Sequence, residues 1–169
     1  SSYRITPFEL AKGFRLVGSS EGVKPKVILD DWWRIAEGSY ITALEFENIE
    51  FSHTSNNKYF MNADKSFTIE SVSFVNCDFI GLTRGFWRHQ QATSKHIMSF
   101  AVEGCRFDKC GWQTGGYGLM DLRSFNDPTA YDQVDKVVIR NCTFSRDNDG
   151  TAGFGWGNLF YAPYVDKPI

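Results

Sequence analysis

The chain has no basic run and no positive balance: 18 Lys and Arg against 20 Asp and Glu leave a net charge of −2. Affinity for nucleic acid comes largely from Lys and Arg on phosphates, so nucleic acid is not an expected partner. No apolar stretch approaches the roughly 18 residues of a spanning helix, so no membrane insertion is expected. Only three histidines are present, His53, His89 and His96, and they lack metal-ligand spacing. A phosphate-binding glycine loop and a nucleophile motif are missing as well. There is no export signal. The chain opens Ser1-Ser2-Tyr3 without Met, so the expectation is a domain excised from a larger extracellular or cell-surface protein, with its signal and neighbouring domains elsewhere.

Aromatic residues are abundant instead: 15 Phe, 7 Tyr and 5 Trp. Such a chain either packs rings in layers or displays them for binding. Hydrophobic residues at 42% and charged residues at 22% exclude disorder and allow one domain with a sizeable core.

An internal repeat organises the chain. Four segments align without gaps: Leu44-Glu-Phe-Glu-Asn-Ile-Glu-Phe51, Val72-Ser-Phe-Val-Asn-Cys-Asp-Phe79, Phe100-Ala-Val-Glu-Gly-Cys-Arg-Phe107 and Val137-Val-Ile-Arg-Asn-Cys-Thr-Phe144. Asn48, Asn76, Gly104 and Asn141 are separated by 28, 28 and 37 residues. A fainter copy, Phe14-Arg-Leu-Val-Gly18, precedes them, with Val27 and Leu29 as its second half. Alternation of period two marks a strand with one buried face. At Asn or Gly the alternation slips by one residue, as at a corner that needs left-handed backbone dihedrals. A third strand aligns between the segments: Trp33, Met61, Trp87, Met120 and Phe160 form its inward row. His89 is expected inward beside Ala63 and Leu122. Three short strands per coil of about 28 residues predict an all-β right-handed parallel β-helix of about five coils, stacked at about 4.8 Å. It forms a single domain over 1–169, with an N-terminal cap and first partial coil at 1–30, repeating coils at 31–163 and a tail at 164–169.

Four cysteines do not imply disulfides here. Cys77, Cys105 and Cys142 occupy the inward position held by Ile49, as small hydrophobes in a core row. Equivalent residues on parallel strands point the same way, which suits a disulfide badly. The state of Cys110, at a loop start, is left open. Asn141-Cys-Thr143 is a formal glycosylation sequon, discounted on the expectation that the corner Asn points inward.

These Asn-corner repeats resemble the pectate-lyase-like right-handed β-helix superfamily over roughly residues 14–163. More narrowly they are similar to β-helix modules in surface proteins of Bacteroides-type bacteria. The resemblance implies a setting in polysaccharide utilisation. Its motifs are structural and specify fold, not activity.

Each activity of that superfamily should leave its own residues. Hydrolysis needs paired carboxylates flanking the sugar bond, and the only adjacent pair, Asp30-Asp31, has no partner His. β-Elimination needs acids around Ca²⁺ and an Arg or Lys base. Asp121, Asp127, Asp132 and Asp135, with Arg88 or Arg123, offer material for it without the lyase family's own motifs. Asp64, Asp121 and Arg123 imitate an esterase set on adjacent coils. Asp147-Asn-Asp149-Gly150 has a likeness to a calcium loop but lacks the later Glu. No catalytic residue and no cofactor are assigned.

The third strand also has an outward row, Arg34, Asn62, Arg88, Asp121 and Tyr161, followed by Asp64, Gln90 and Arg123 one step along. Such side chains hydrogen-bond sugar hydroxyls and carboxylates. Loops before this strand lengthen along the chain and carry Trp112 and Trp156, fit to stack on sugar rings or to fold back over the core. The reading is a non-catalytic polysaccharide-binding module with Arg88, Asp121, Arg123, Tyr161, Trp112 and Trp156 as ligand contacts. Arginine points to an acidic sugar. A lyase or esterase domain is the alternative, and a structural spacer of a surface protein the second.

Overall fold

The computed structural model describes residues 1–55, 58–90, 93–111, 119–122, 132–145 and 160–161. No helix occurs among them, and every strand pairing is parallel. The chain winds through three faces in turn and forms a parallel β-solenoid of about four turns. The first face stacks β1 (Ser2–Ile5), β4 (Lys26–Leu29), β7 (Glu50–His53), β10 (Asp78–Ile80), β13 (Arg106–Asp108) and β17 (Thr143–Ser145). The second stacks β3 (Phe14–Val17), β6 (Ser39–Glu47), β9 (Phe67–Val75) and β12 (Lys95–Glu103), with β15 (Asp132–Val134) and β16 (Val137–Arg140) both on β12. The third stacks β8 (Tyr59–Ala63), β11 (Gly85–His89), β14 (Met120–Asp121) and β18 (Phe160–Tyr161). A Trp33–Met61 bridge links it to the pair β2 (Glu9–Leu10) and β5 (Arg34–Ile35).

The register is the one the repeat predicts. Leu44 lies beside Val72, which lies beside Phe100 and then Val137; Phe51, Phe79, Phe107 and Phe144 form another row. Residues in one row share a backbone environment one strand spacing apart, so like side chains stack. Ring pairs Phe46–Phe74, Phe79–Phe107 and Phe107–Phe144 sit 4.9, 4.9 and 5.2 Å apart with interplanar angles of 5°, 13° and 7°. Fully burying a Phe contributes about 1.5–3 kcal/mol, and most of these rings are fully buried.

The corners take left-handed dihedrals, with φ of 56°, 50°, 62° and 54° at Asn48, Asn76, Gly104 and Asn141. Two of the corner side chains, however, stand in solvent, whereas that of Asn48 is buried. Asn76 and Asn141 are exposed, and Asn76 Nδ2 donates to Asn48 Oδ1 at 2.7 Å. The left-handed residue turns its Cβ out of the interior, and the next residue takes the inward place. Burial therefore does not discount the sequon at Asn141. Cys77, Cys105 and Cys110 are buried, Cys142 is half-buried, and all four are free thiols. Each of Cys105, Cys110 and Cys142 donates to the carbonyl two residues earlier, at 3.3–3.4 Å.

Three features were not anticipated. Gly81 and Lys109 make a second left-handed corner, with φ of 67° and 56°, and place Leu82 and Cys110 in the core. The second-face strands reach back to add an inward row of Ile41, Ile69 and Ile97. On the third face the alternation slips, so Phe60 with Met61, Phe86 with Trp87 and Leu119 with Met120 are buried as neighbouring pairs. His89 is buried as expected, with the Phe67 ring edge-on at 6.0 Å.

Candidate functional site

The outward side of the third face carries the candidate site. Its central row is the predicted one: Arg88 pairs in register with Asn62 on one side and Asp121 on the other, and Asp121 with Tyr161. Its setting is not the predicted open surface. Arg88 is 6% exposed and Asp121 1%, and all residues of β8 and β11 are buried. Part of the reason is local. Because the alternation slips at Phe60, Tyr59 turns outward and covers Arg88, with the guanidinium 5.4 Å from the ring centroid and Nη1 donating to the hydroxyl at 3.3 Å. Arg88 and Asp121 are thus a buried polar floor. Arg123, Trp112 and Trp156 lie outside the described residues, as do the calcium-like loop Asp147–Gly150 and Asp127. Tyr161 is placed by its backbone alone.

A second group, missed in the sequence, stands beside this floor. Trp32 has Lys58 Nζ 4.3 Å and the Arg34 guanidinium 5.2 Å from its ring centroid. Tyr59 has the Arg84 guanidinium at 5.5 Å as well as Arg88. Trp32 and Tyr59 are themselves 6.3 Å apart. Four cations therefore share two aromatic rings, an arrangement in which each cation sits in the ring's quadrupole field. Asp31 accepts from Lys58 Nζ at 2.9 Å, Arg34 Nη1 at 3.4 Å and the Trp32 N–H at 2.9 Å. Burial works to raise its carboxyl, but the Lys58 ammonium, the Trp32 N–H and Arg34 outweigh it and hold the group below its ordinary value. Burial pushes the Tyr59 phenol up, against the pull of Arg88 and Arg84.

Supports from neighbouring coils hold these side chains in place. His53 Nε2 lies 2.7 Å from the Tyr59 carbonyl and Nδ1 3.1 Å from that of Leu29, which ties the turn before β8 to the preceding coil. Burial outweighs both carbonyls and holds the imidazole below its ordinary value. Asn62 Nδ2 donates to Gln90 Oε1 at 2.8 Å. Asn62 Oδ1, Asp64 Oδ1 and Trp32 Nε1 are buried without a hydrogen-bond partner among the described residues. Buried polar atoms are rarely left so, although the indole nitrogens of the core residues Trp33 and Trp87 share this state.

The catalytic arrangements gain little. Asp64 follows β8 and Asp121 lies in β14, with β11 between them, so they are not on adjacent coils. Asp135 belongs to the second face, where its carboxylate is 3.0 Å from His96 Nε2. Among the described residues no three His, Cys, Asp or Glu gather as a metal-ligand group.

Taken together, fold and face define a parallel β-solenoid with one buried polar, aromatic-flanked sheet. The chain matches no known protein family, no curated protein and no solved structure.

Proposed function

We propose that this chain is a non-catalytic module that binds an extended acidic polysaccharide along the outward side of its third face. The observation that carries the reading is the group Arg34, Lys58, Arg84 and Arg88 on the rings of Trp32 and Tyr59, beside the orphaned Asn62 and Asp64 oxygens. Guanidinium groups match carboxylates in a two-pronged geometry. Lys58 and Arg34 keep 25% and 33% of their side-chain surface in solvent, so they remain within reach of a ligand. Contacts repeated once per coil suit a chain ligand, whose affinity sums many weak contacts. The proposal includes a helix of five coils of the pectate-lyase-like class, taken as right-handed because parallel crossovers are right-handed in about 98% of cases. An extracellular or cell-surface setting, as in Bacteroides-type polysaccharide utilisation, belongs to the same reading.

The buried Asp121 in register with Arg88 favours the enzymatic alternative, a lyase or esterase, since a desolvated carboxylate beside a cation suits proton transfer. Calorimetry against oligogalacturonate, alginate and neutral glucan oligomers separates these readings, with a parallel absorbance assay for unsaturated products. The module reading expects binding of an acidic oligomer without cleavage, and its loss in Lys58→Ala and Arg84→Ala at unchanged melting temperature. Equal binding by both variants, or no binding by wild type, removes the site. Product formation assigns the enzyme.

A further inference from the structure

Arg34, Lys58 and Arg84 come from three successive coils, since Trp33 is bridged to Met61 and Met61 is in register with Trp87. Lys58 and Arg84 are equivalent residues on adjacent coils. The residues that follow them, Tyr59 and Gly85, are in register, and the Arg84 N–H donates to the Lys58 carbonyl at 3.3 Å. Their side chains therefore leave the backbone about one strand spacing, roughly 4.8 Å, apart. Like charges side by side on neighbouring strands are destabilising unless something neutralises them.

Neutralisation within the chain is incomplete. Asp31 is shared by Lys58 at 2.9 Å and Arg34 at 3.4 Å. Its neighbour Asp30 is taken by Arg4 at 2.6 Å. Arg84 is half-buried with its guanidinium on the Tyr59 ring, and it has no carboxylate partner among the described residues. A partly desolvated cation beside a second cation is unfavourable, and an anion from outside the chain relieves it.

The donor set selects the kind of anion. A carboxylate has two coplanar oxygens, which one guanidinium fork satisfies by itself. Here the donors are separate. The Lys58 ammonium is a point charge, and guanidinium groups flank it from the coils before and after. A sulfate or phosphate ester presents three terminal oxygens about one axis, and each can take a donor from a different coil. We propose that the anionic groups held at Lys58 and Arg84 are tetrahedral oxyanion esters, sulfate or phosphate, carried by the glycan, with carboxylates accepted more weakly. The proposal rests on the glycan-binding reading and narrows its ligand.

NMR titration of the whole chain with methyl sulfate and with acetate, at matched ionic strength, separates the anion from any sugar backbone, because both probes carry a single charge. The Arg84 Nε–H and Trp32 indole N–H resonances report binding. Methyl sulfate is expected to saturate them at a concentration about tenfold below acetate, the effect of one additional charge-assisted hydrogen bond. Arg84→Gln and Lys58→Gln each abolish the preference, whereas Arg140→Gln, on the second face, keeps it. Methyl phosphate tells the two esters apart when compared with methyl sulfate at about pH 5, below its second ionisation near 6. The tighter of the two is the ester the site takes. Equal affinity for methyl sulfate and acetate overturns the proposal, as does the absence of any shift at Arg84, and neither result bears on glycan calorimetry. A methyl sulfate preference in a chain that binds no acidic glycan upholds the oxyanion site and removes the glycan reading.

Discussion

Replacing Phe74 with Ala tests the interior directly. The ring is 0% exposed and stacks on Phe46 at 4.9 Å. Phe60, Phe79, Phe86, Trp87 and Phe100 surround it at centroid distances of 4.8–6.3 Å. These neighbours come from all three faces, and each is held by its own strand. The void left by the ring therefore relaxes little, and the expected loss is the upper part of the about 3–5 kcal/mol usual for Phe→Ala in a core. At roughly 2–4 °C per kcal/mol for a chain of this size, the melting temperature should fall by about 8–20 °C. Intrinsic fluorescence reads the transition, because Trp33 and Trp87 are both buried and Trp87 is 6.3 Å from the substituted ring. Phe144→Ala is the control: that ring is half-buried and stacks on Phe107 at 5.2 Å. Its loss should be clearly smaller, since in a solenoid each coil draws stability from its neighbours. A Phe74→Ala loss below about 1 kcal/mol, an ordinary surface-scale effect, or one equal to that of Phe144→Ala, would refute the idea that stacked rings hold the coils together.

Three further outcomes are expected. A Cβ at Gly18 would lie 2.1 Å from the Asn48 carbonyl oxygen and 2.7 Å from Pro25 Cγ, so Gly18→Ala should lower stability by about 1–3 kcal/mol in urea unfolding, as overpacking does. Cys142, half-buried, should react first with a thiol reagent, while Cys110, whose burial pushes its thiol up to about 12, stays inert until unfolding; rapid labelling of Cys110 would contradict its place in the core. His53 should titrate below its ordinary 6.5 by NMR. The unfolded chain then takes up the proton first, so the stability from His53 is full above about pH 6.5 and declines below it, and a flat or rising stability between pH 7 and 5 in which His53→Gln made no difference would oppose this.

Much of the site's position was legible in the sequence, and little of its character. The register that brings Arg88 between Asn62 and Asp121 follows from aligning Trp87 with Met61 and Met120, because in-register parallel strands carry one alignment across a whole row. Burial of Arg88 did not follow, since it depends on Tyr59 crossing over from the neighbouring coil. Lys58 and Arg84 lie in the loops before the third strand and carry no repeat signal, and Tyr59 falls outside the aligned rows. An aromatic pair between an acid and a cation at Asp31-Trp32-Trp33-Arg34 was the available signal, and it went unused because Trp33 alone fitted the inward row.

By itself the sequence determined the coil, its period and the inward rows of the aligned repeat segments. Alternation of period two and a left-handed corner are properties of one short backbone segment, and Asn48, Asn76, Gly104 and Asn141 mark that corner wherever it recurs. Tertiary structure decided what lies between the coils. It decided that Phe60 and Met61 both face inward, that Asn76 bonds Asn48 on the outside, and that Trp32 and Tyr59 gather four cations from residues as far apart as Arg34 and Arg88. Those outcomes depend on the side chain one strand spacing away, about 28 residues along the chain, and no local pattern records it.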